Sequence, residues 1–79
     1  MVHIDQDRTT LKRLGMEHTT EYDADGPIRV NIYDGVHVAS INVRDFESVA
    51  YYFIEYDHTI IELTRKALFA RLRRLNIVK

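Results

Sequence analysis

The most constraining feature of this sequence is an alternating run that Asp34-Gly35 interrupts once. Residues 28–33 and 36–38 place apolar side chains at every second position, which is the pattern of a half-buried β-strand. Asp-Gly between two such runs is a strong hairpin signal, because a type I′ turn needs positive φ at both central positions. The pattern therefore predicts an antiparallel hairpin. A change of parity after the turn predicts a β-bulge at Ala39-Ser40.

The hairpin belongs to a chain of 79 residues that contains no cysteine. A chain of this length forms one small domain, residues 1–79, and has no disulfide to stabilise it. A core of this size contributes only roughly 3–5 kcal/mol to the net free energy of folding. We therefore expect the protein to self-associate, because an interface would add stability. The first residues show no signal peptide, and the longest apolar run, residues 49–54, is too short to span a membrane. We therefore expect a cytoplasmic protein that makes no membrane contact.

The N-terminal segment has the pattern of a short helix. Residues 7–15 carry Leu11 and Leu14 at helical spacing. Asp5 or Asp7 suits the N-cap of this helix. Gly15 suits the left-handed residue that ends a helix. The polar stretch that follows is a candidate edge strand from residue 16 to residue 22, and residues 23–27 form a loop by their turn chemistry.

The C-terminal segment predicts a longer helix. Ile61, Leu68, Leu72 and Leu75 recur at helical spacing. Thr59 and Glu62 have the spacing of a capping box. We therefore expect a helix that begins after Asp57-His58-Thr59 and ends near residue 76.

Residues 45–56 fit two structures. Phe46, Val49, Ala50, Phe53 and Ile54 match one face of a helix that Asp45 would cap. The same stretch is rich in aromatic and β-branched residues, which favour a strand. We favour the helix slightly, and a third strand is the alternative.

The predicted fold class is therefore α+β. It consists of a short N-terminal helix, an antiparallel β-hairpin to which the candidate edge strand adds a third strand, and two C-terminal helices that pack on one face of the sheet. With residues 49–56 as a strand, the order becomes α-β-β-β-α. The predicted core consists of apolar residues from each of these elements: Leu11, Leu14, Ile28, Val30, Ile32, Val36, Val38, Ile41, Val43, Phe46, Val49, Phe53, Ile61, Leu68, Leu72 and Leu75.

Charge is distributed unevenly along the chain. Residues 1–63 contain all twelve acids and five bases, a net charge of −7, whereas residues 64–79 contain six bases and no acid, a net charge of +6. The bases of the predicted C-terminal helix are candidates for contact with nucleic acid or with an acidic partner: Arg65, Lys66, Arg71, Arg73 and Arg74. The favoured alternative is a solvated helix face that complements the helix dipole and an acidic surface, within the monomer or across a dimer.

Tyrosines are concentrated next to this helix. With residues 45–56 as a helix, Tyr51 and Tyr52 point away from its apolar face, beside Glu55, and Tyr56 follows. Exposed tyrosines are frequent at protein interfaces, since they combine a rigid contact area with a polar tip. We therefore select Tyr51, Tyr52, Glu55 and Tyr56 as candidates for a protein interface. Stacking on nucleic-acid bases is a second interpretation, and packing within a sheet is a third.

The sequence shows no pattern that points to catalysis or cofactor binding. The four histidines are scattered, and neither His3 beside Asp5 nor His58 beside Asp57 has the ligand number of a metal site. His37 is expected on the open face of the sheet. There is no nucleophile elbow and no glycine-rich phosphate loop. We therefore expect a protein that is not an enzyme and that needs no metal, cofactor or small-molecule ligand.

Two resemblances to known families follow from the two readings of residues 45–56. The order α-β-β-β-α is similar to the double-stranded-RNA-binding domain, whose last helix begins with a basic, alanine-rich motif. Here residues 63–68 read Leu-Thr-Arg-Lys-Ala-Leu, with one lysine and one alanine. This resemblance rests on topology, which does not carry function.

The hairpin-plus-helix reading resembles the core of some small phage-encoded anti-CRISPR proteins. The residues concerned are 28–31, Asp34-Gly35, 47–49 and 53–54. This resemblance implies a phage protein that inhibits a host protein complex by binding it. From the residues themselves, the leading hypothesis is a non-catalytic protein-binding or self-associating module, and nucleic-acid binding through the basic helix is the alternative.

Overall fold

The computed structural model describes residues 4–44 and 48–78. Within these residues two helices flank five strands. The elements in chain order are α1 (Ile4–Arg13), β1 (Glu17–Asp23), β2 (Gly26–Asp34), β3 (Val36–Val43), β4 (Val49–Ile54), β5 (Ile60–Leu63) and α2 (Arg65–Val78). The strands form one antiparallel sheet in the order β1-β2-β3-β4-β5. The α+β class is confirmed, whereas the number of strands is larger than the sequence predicted.

Strand β4 corrects the preferred reading of residues 45–56. Val49–Ile54 pairs with β3 on one side and with β5 on the other, so this stretch is a central strand and not a helix. The helical spacing of its apolar residues was misleading, because a strand that is covered on one face and partly apolar on the other satisfies the same pattern. Phe46 lies outside the described residues. The alternative α-β-β-β-α identifies this strand but lacks two others, and the hairpin-plus-helix arrangement is not present.

Strand β5 and the start of α2 correct the predicted C-terminal helix. Ile60–Leu63 is a strand, and the helix begins only at Arg65. Thr64 is its N-cap, because the Thr64 side-chain oxygen accepts a hydrogen bond from the Ala67 N–H at 3.1 Å. The predicted capping box is therefore wrong. Thr59 instead belongs to the β4–β5 turn, where its N–H donates to the Asp57 carboxylate at 3.1 Å.

The N-terminal elements agree closely with the sequence. Helix α1 starts at Ile4, so Asp5 and Asp7 lie in its first turn and neither residue caps it. Gly15 has a φ of 73°, which is the left-handed conformation predicted for the end of the helix. The predicted edge strand is confirmed as β1, which pairs with β2 from Glu17 onward.

The hairpin of β2 and β3 is confirmed, but its turn differs from the prediction. Gly35 has a φ of 79°, whereas Asp34 is not among the residues with positive φ, so the turn is not type I′. The predicted bulge at Ala39-Ser40 is also misplaced. The register shifts between the pairs Tyr33–His37 and Ile32–Ala39, so Val38 is the additional residue.

Both helices pack on one face of the sheet and form the core with it. The buried apolar residues that make contact there are Ile4, Leu11, Met16, Val30, Ile32, Ala39, Ile41, Leu68, Phe69 and Leu72. Among the predicted core residues, Leu14, Val38, Val43, Val49, Phe53 and Leu75 are partly buried against this cluster. Ile28 and Val36 are exposed, because they lie near the β1–β2 bulge and at the β2–β3 turn. The other face of the sheet has no helix on it within the described residues.

The β4–β5 turn contains a conformational strain that a substitution should relieve. His58 has a φ of 68°, which an L side chain adopts at a cost that glycine does not bear. We expect His58→Gly to raise the free energy of unfolding by about 0.5–1 kcal/mol, measured by chemical denaturation. The control is Gly35→Ala, which should lower it by a similar amount because Gly35 also has positive φ. Destabilisation by His58→Gly would show that the imidazole contributes more than the strain costs.

Candidate functional site

A buried carboxylate connects both helices to the sheet. Asp7 is 1% exposed, and the Arg65 Nε donates to one of its oxygens at 2.6 Å. The Tyr51 hydroxyl donates to the other oxygen at 3.0 Å. Because both oxygens have partners, the carboxylate can stay buried, and its three elements α1, β4 and α2 are fixed relative to one another. We call Asp7, Arg65 and Tyr51 the Asp7 triad.

Sequence reasoning missed the role of Asp7, although a signal was present. Asp7 lies between Ile4 and Leu11 on the apolar stripe of α1, so an acid occupies a position that faces the core. An acid at such a position needs a cationic or hydroxyl partner from another element. Arg65 at the edge of the apolar stripe of α2 is that partner.

The candidate tyrosines Tyr51 and Tyr52 lie on opposite faces of the sheet. Tyr51 packs against the core and belongs to the Asp7 triad. Tyr52 lies on the uncovered face, where its hydroxyl accepts a hydrogen bond from Arg44 at 3.0 Å. The expectation that the two rings share an exposed helical face is therefore wrong. Alternation along a strand separates neighbours in this way.

The charge segregation seen along the chain is a segregation between layers. The described helices contain eight bases and two acids: Arg8, Lys12, Arg13, Arg65, Lys66, Arg71, Arg73 and Arg74 against Asp5 and Asp7. The described strands and turns contain two bases and eight acids: Arg29 and Arg44 against Glu17, Glu21, Asp23, Asp25, Asp34, Glu55, Asp57 and Glu62. The helical layer is basic and the sheet layer is acidic.

The five candidate bases of α2 fall into two groups. Arg65 and Arg71 bind acids of the same molecule, Asp7 and Glu55, at 2.6 and 3.1 Å. Each guanidinium also lies about 5 Å from an aromatic ring. Lys66, Arg73 and Arg74 are exposed, and none of the three forms an ion pair within the part of the chain that the structure describes. These three bases remain available to an external partner. The candidate interface residue Glu55 is not, because it already binds Arg71.

The helix dipole does not explain the bases of α2. The first turn of α2 contains Arg65 and Lys66 and no acid, and its last turn contains no base. Cations are unfavourable at the positive end of a helix, so this arrangement opposes the dipole. Helix α1 has the favourable arrangement, with acids in the first turn and bases in the last. The part of the charge segregation that the sequence analysis assigned to the dipole of this helix is therefore not explained by it.

The two helices run in the same direction across the sheet. In an antiparallel meander β1 and β5 are parallel, and each helix joins its strand through a short reversal. The pairing of Asp7 with Arg65 agrees with this parallel direction, because it joins the N-terminal halves of both helices. The C-terminal halves therefore lie at the same end of the sheet, and they carry Lys12, Arg13, Arg73 and Arg74.

One half of the uncovered sheet face is polar and internally paired. The Glu21 carboxylate accepts hydrogen bonds from Asn31 at 2.8 Å and from Arg29 at 3.5 Å. Arg44 donates to Glu62 at 3.0 Å, in addition to Tyr52. The charges in this half therefore neutralise one another, and the ion pairs order the side chains without leaving a charged patch.

The other half of the uncovered face is less polar. Tyr33 and His37 pair across β2 and β3, with ring centroids 5.3 Å apart. Ile54 and Ile60 pair across β4 and β5, and Ile60 is 65% exposed. Tyr56 extends this surface at the β4–β5 turn, with an exposure of 103%. We call Tyr33, His37, Ile54, Ile60 and Tyr56 the apolar strip. Of the candidate interface residues, Tyr56 belongs to it.

A shallow groove between α1 and β1 has no evident ligand. It is lined by Asp5, Arg8, Thr9, Lys12, His18 and Thr20. Arg8 binds Asp5 and Thr20, and the Thr9 hydroxyl donates to the Asp5 carbonyl oxygen. A ring nitrogen of His18 lies 3.2 Å from the Met16 carbonyl oxygen. Because these polar groups already bind one another, the groove offers little to a small molecule.

The comparisons with known proteins add no family. No family model matches the chain, and no similar curated protein or solved structure was found. In the described part of the chain, no helix is both long and apolar enough to cross a bilayer. Residues 4–44 and 48–78 also bring together no group of three or more metal-binding side chains.

The Asp7 triad predicts a strong coupling between Asp7 and Arg65. We expect Arg65→Met to lower the free energy of unfolding by about 2–3 kcal/mol, because it leaves a buried carboxylate with one partner. The double variant Asp7→Leu/Arg65→Met should regain most of this loss, since no charge remains buried. The control Arg71→Met breaks a partly exposed pair and should cost about 1 kcal/mol or less. Additive effects in the Asp7–Arg65 cycle, measured by urea denaturation, would contradict this account.

Tyr51 predicts an alkaline destabilisation. Burial and the neighbouring Asp7 carboxylate raise the pKa of Tyr51 from 10.0 to about 12. The folded protein thus keeps this proton at a pH where the unfolded chain loses it. The contribution of the Tyr51 hydroxyl to the free energy of unfolding is therefore complete below pH 10 and disappears as the pH rises through 12. Wild type should be more stable than Tyr51→Phe at neutral pH, and denaturation at several pH values should show the difference shrinking above pH 10. A difference that stays constant would argue against the buried hydrogen bond.

Proposed function

We propose that this chain is a non-catalytic protein-binding module that pairs with a second copy of itself through the apolar strip. The observation that carries the proposal is the one-sided covering of the sheet. Both helices pack on one face, and the strip leaves Ile60 and Tyr56 at least 65% exposed on and beside the other. A domain this small gains stability when a partner covers such a surface.

The charges of the uncovered face favour a copy over a charged partner. Glu21 and Glu62 are both paired with arginines of the same face, so contact does not require compensating charges. A two-fold axis would place the apolar strip of one protomer against that of the other, as expected for an interface of identical chains. The aromatic rings and isoleucines would supply the apolar centre, and the ion pairs would form the polar rim.

The sheet edges are less suited to pairing than the face. The outer strand β1 carries the acids Glu17, Glu21 and Asp23, and like charges on an edge oppose the addition of another strand. The opposite edge, β5, has four residues. Short edge strands also limit edge-to-edge pairing. These features support contact through the face.

Sedimentation at several protein and salt concentrations tests the proposal. We expect a concentration-dependent dimer that persists or strengthens at high salt, because apolar contact is not screened. Ile60→Lys should shift the protein to monomer, since Ile60 lies in the strip and is mostly exposed. The matched control is Ile28→Lys, at the opposite end of the sheet, which should leave the dimer intact.

Two results would contradict this proposal. One is a monomer at every concentration and salt. The other is an association that dissociates at high salt and is unaffected by Ile60→Lys, which would favour the head-to-tail pairing of acidic and basic surfaces. Circular dichroism of each variant verifies that its fold is retained.

A further inference from the structure

We propose that the outer surface of the helical layer binds the phosphate backbone of double-stranded nucleic acid, independently of base sequence. The residues concerned are the exposed bases without an ion pair in the described residues: Lys12, Arg13, Lys66, Arg73 and Arg74. We call them the basic surface. It lies on the layer opposite to the apolar strip, so the proposal is independent of self-association.

The availability of these cations is the first argument. The structure pairs Arg65 and Arg71 with acids of their own molecule, yet leaves Lys66, Arg73 and Arg74 on the outer side of the same helix. Lys66, Ala70 and Arg73 point in nearly the same direction, and Arg74 lies beside them. The small side chain of Ala70 allows a flat polyanion to approach the bases on both sides of it.

The unfavourable position of the charge is the second argument. Lys66 lies in the first turn of α2, where a cation opposes the dipole, and no acid compensates it there. Stability of the folded monomer therefore gains nothing from this charge. The two parallel helices also bring Arg73 and Arg74 to the end of the sheet that carries Lys12 and Arg13. Contact with successive phosphates requires several cations on one side of the protein.

The acidic sheet does not prevent this contact. The sheet acids lie in the other layer, where Glu21, Glu55 and Glu62 are each paired with an arginine. The Debye length is about 8 Å at physiological ionic strength, so charges on the far side of the molecule are largely screened. The net charge of −1 therefore understates the local potential of the helical layer.

A duplex fits this surface better than a single strand. The exposed positions of the described helices are Asp5, Gln6, Thr9, Lys12, Arg13, Arg65, Lys66, Ala70, Arg73, Arg74 and Asn76. None of them is aromatic. Proteins that bind single strands stack bases on aromatic rings, whereas contact with a duplex backbone needs cations alone.

Fluorescence anisotropy with labelled DNA duplex, RNA duplex and single-stranded DNA tests the proposal at about 50 mM salt. We expect both duplexes to bind more tightly than the single strand. The logarithm of the association constant should fall with the logarithm of salt concentration with a slope of about −4 to −5, if the five cations each neutralise one phosphate. The ratio of DNA to RNA affinity identifies the favoured duplex.

Two double variants of equal net charge provide the decisive comparison. Arg73→Gln/Arg74→Gln should weaken duplex binding roughly tenfold or more and reduce the magnitude of the salt slope by about 2. The control Arg29→Gln/Arg44→Gln removes the same charge from the sheet face and should leave both values nearly unchanged. Ile60→Lys, which tests self-association, should leave the salt slope per protomer unchanged.

Three outcomes would overturn the proposal. The first is no duplex binding by the wild-type protein at low salt. The second is an equal loss of affinity in both double variants, which would reflect net charge alone. The third is binding of polyglutamate without binding of duplex, which would make an acidic polypeptide the partner of the basic surface.

Discussion

The arrangement of this molecule depends on the burial of one carboxylate. Asp7 enters the core on α1, and it can remain there because Arg65 of α2 and Tyr51 of β4 each take one of its oxygens. The ion pair and the hydrogen bond, together with the apolar core, join both helices to the same face of the sheet. The opposite face therefore stays uncovered, and the cations of the helices face away from it.

This one-sided covering separates two kinds of surface. The uncovered sheet face combines internally neutral ion pairs with the apolar strip, and such a surface suits contact with protein. The helical layer carries exposed cations that the molecule itself does not use, and such a surface suits a polyanion. The two proposals can hold together, because a dimer that forms through the sheet faces leaves both basic surfaces on its outside.

Local signals in the sequence predicted some of this fold, and non-local contacts decided the rest. The hairpin at Asp34-Gly35 and the helix end at Gly15 follow from backbone preferences, so they were predictable. Val49–Ile54 has apolar residues that fit a helix or a strand, and only its pairing with β3 and β5 distinguishes them.

The same limit applies to the candidate site. Sequence reasoning found the basic helix, but it could not distinguish Arg65 and Arg71, which bind acids of their own molecule, from Arg73 and Arg74, which do not.

The central functional claim is that two copies of the chain pair through the apolar strip. Two-dimensional NMR spectra of the backbone amides over a dilution series test this claim most directly. We expect the amide chemical shifts of Tyr33, Ile54 and Ile60 to change with protein concentration and those along α2 to stay constant. Shifts confined to α2 or β1, or no shift at any concentration, would contradict it.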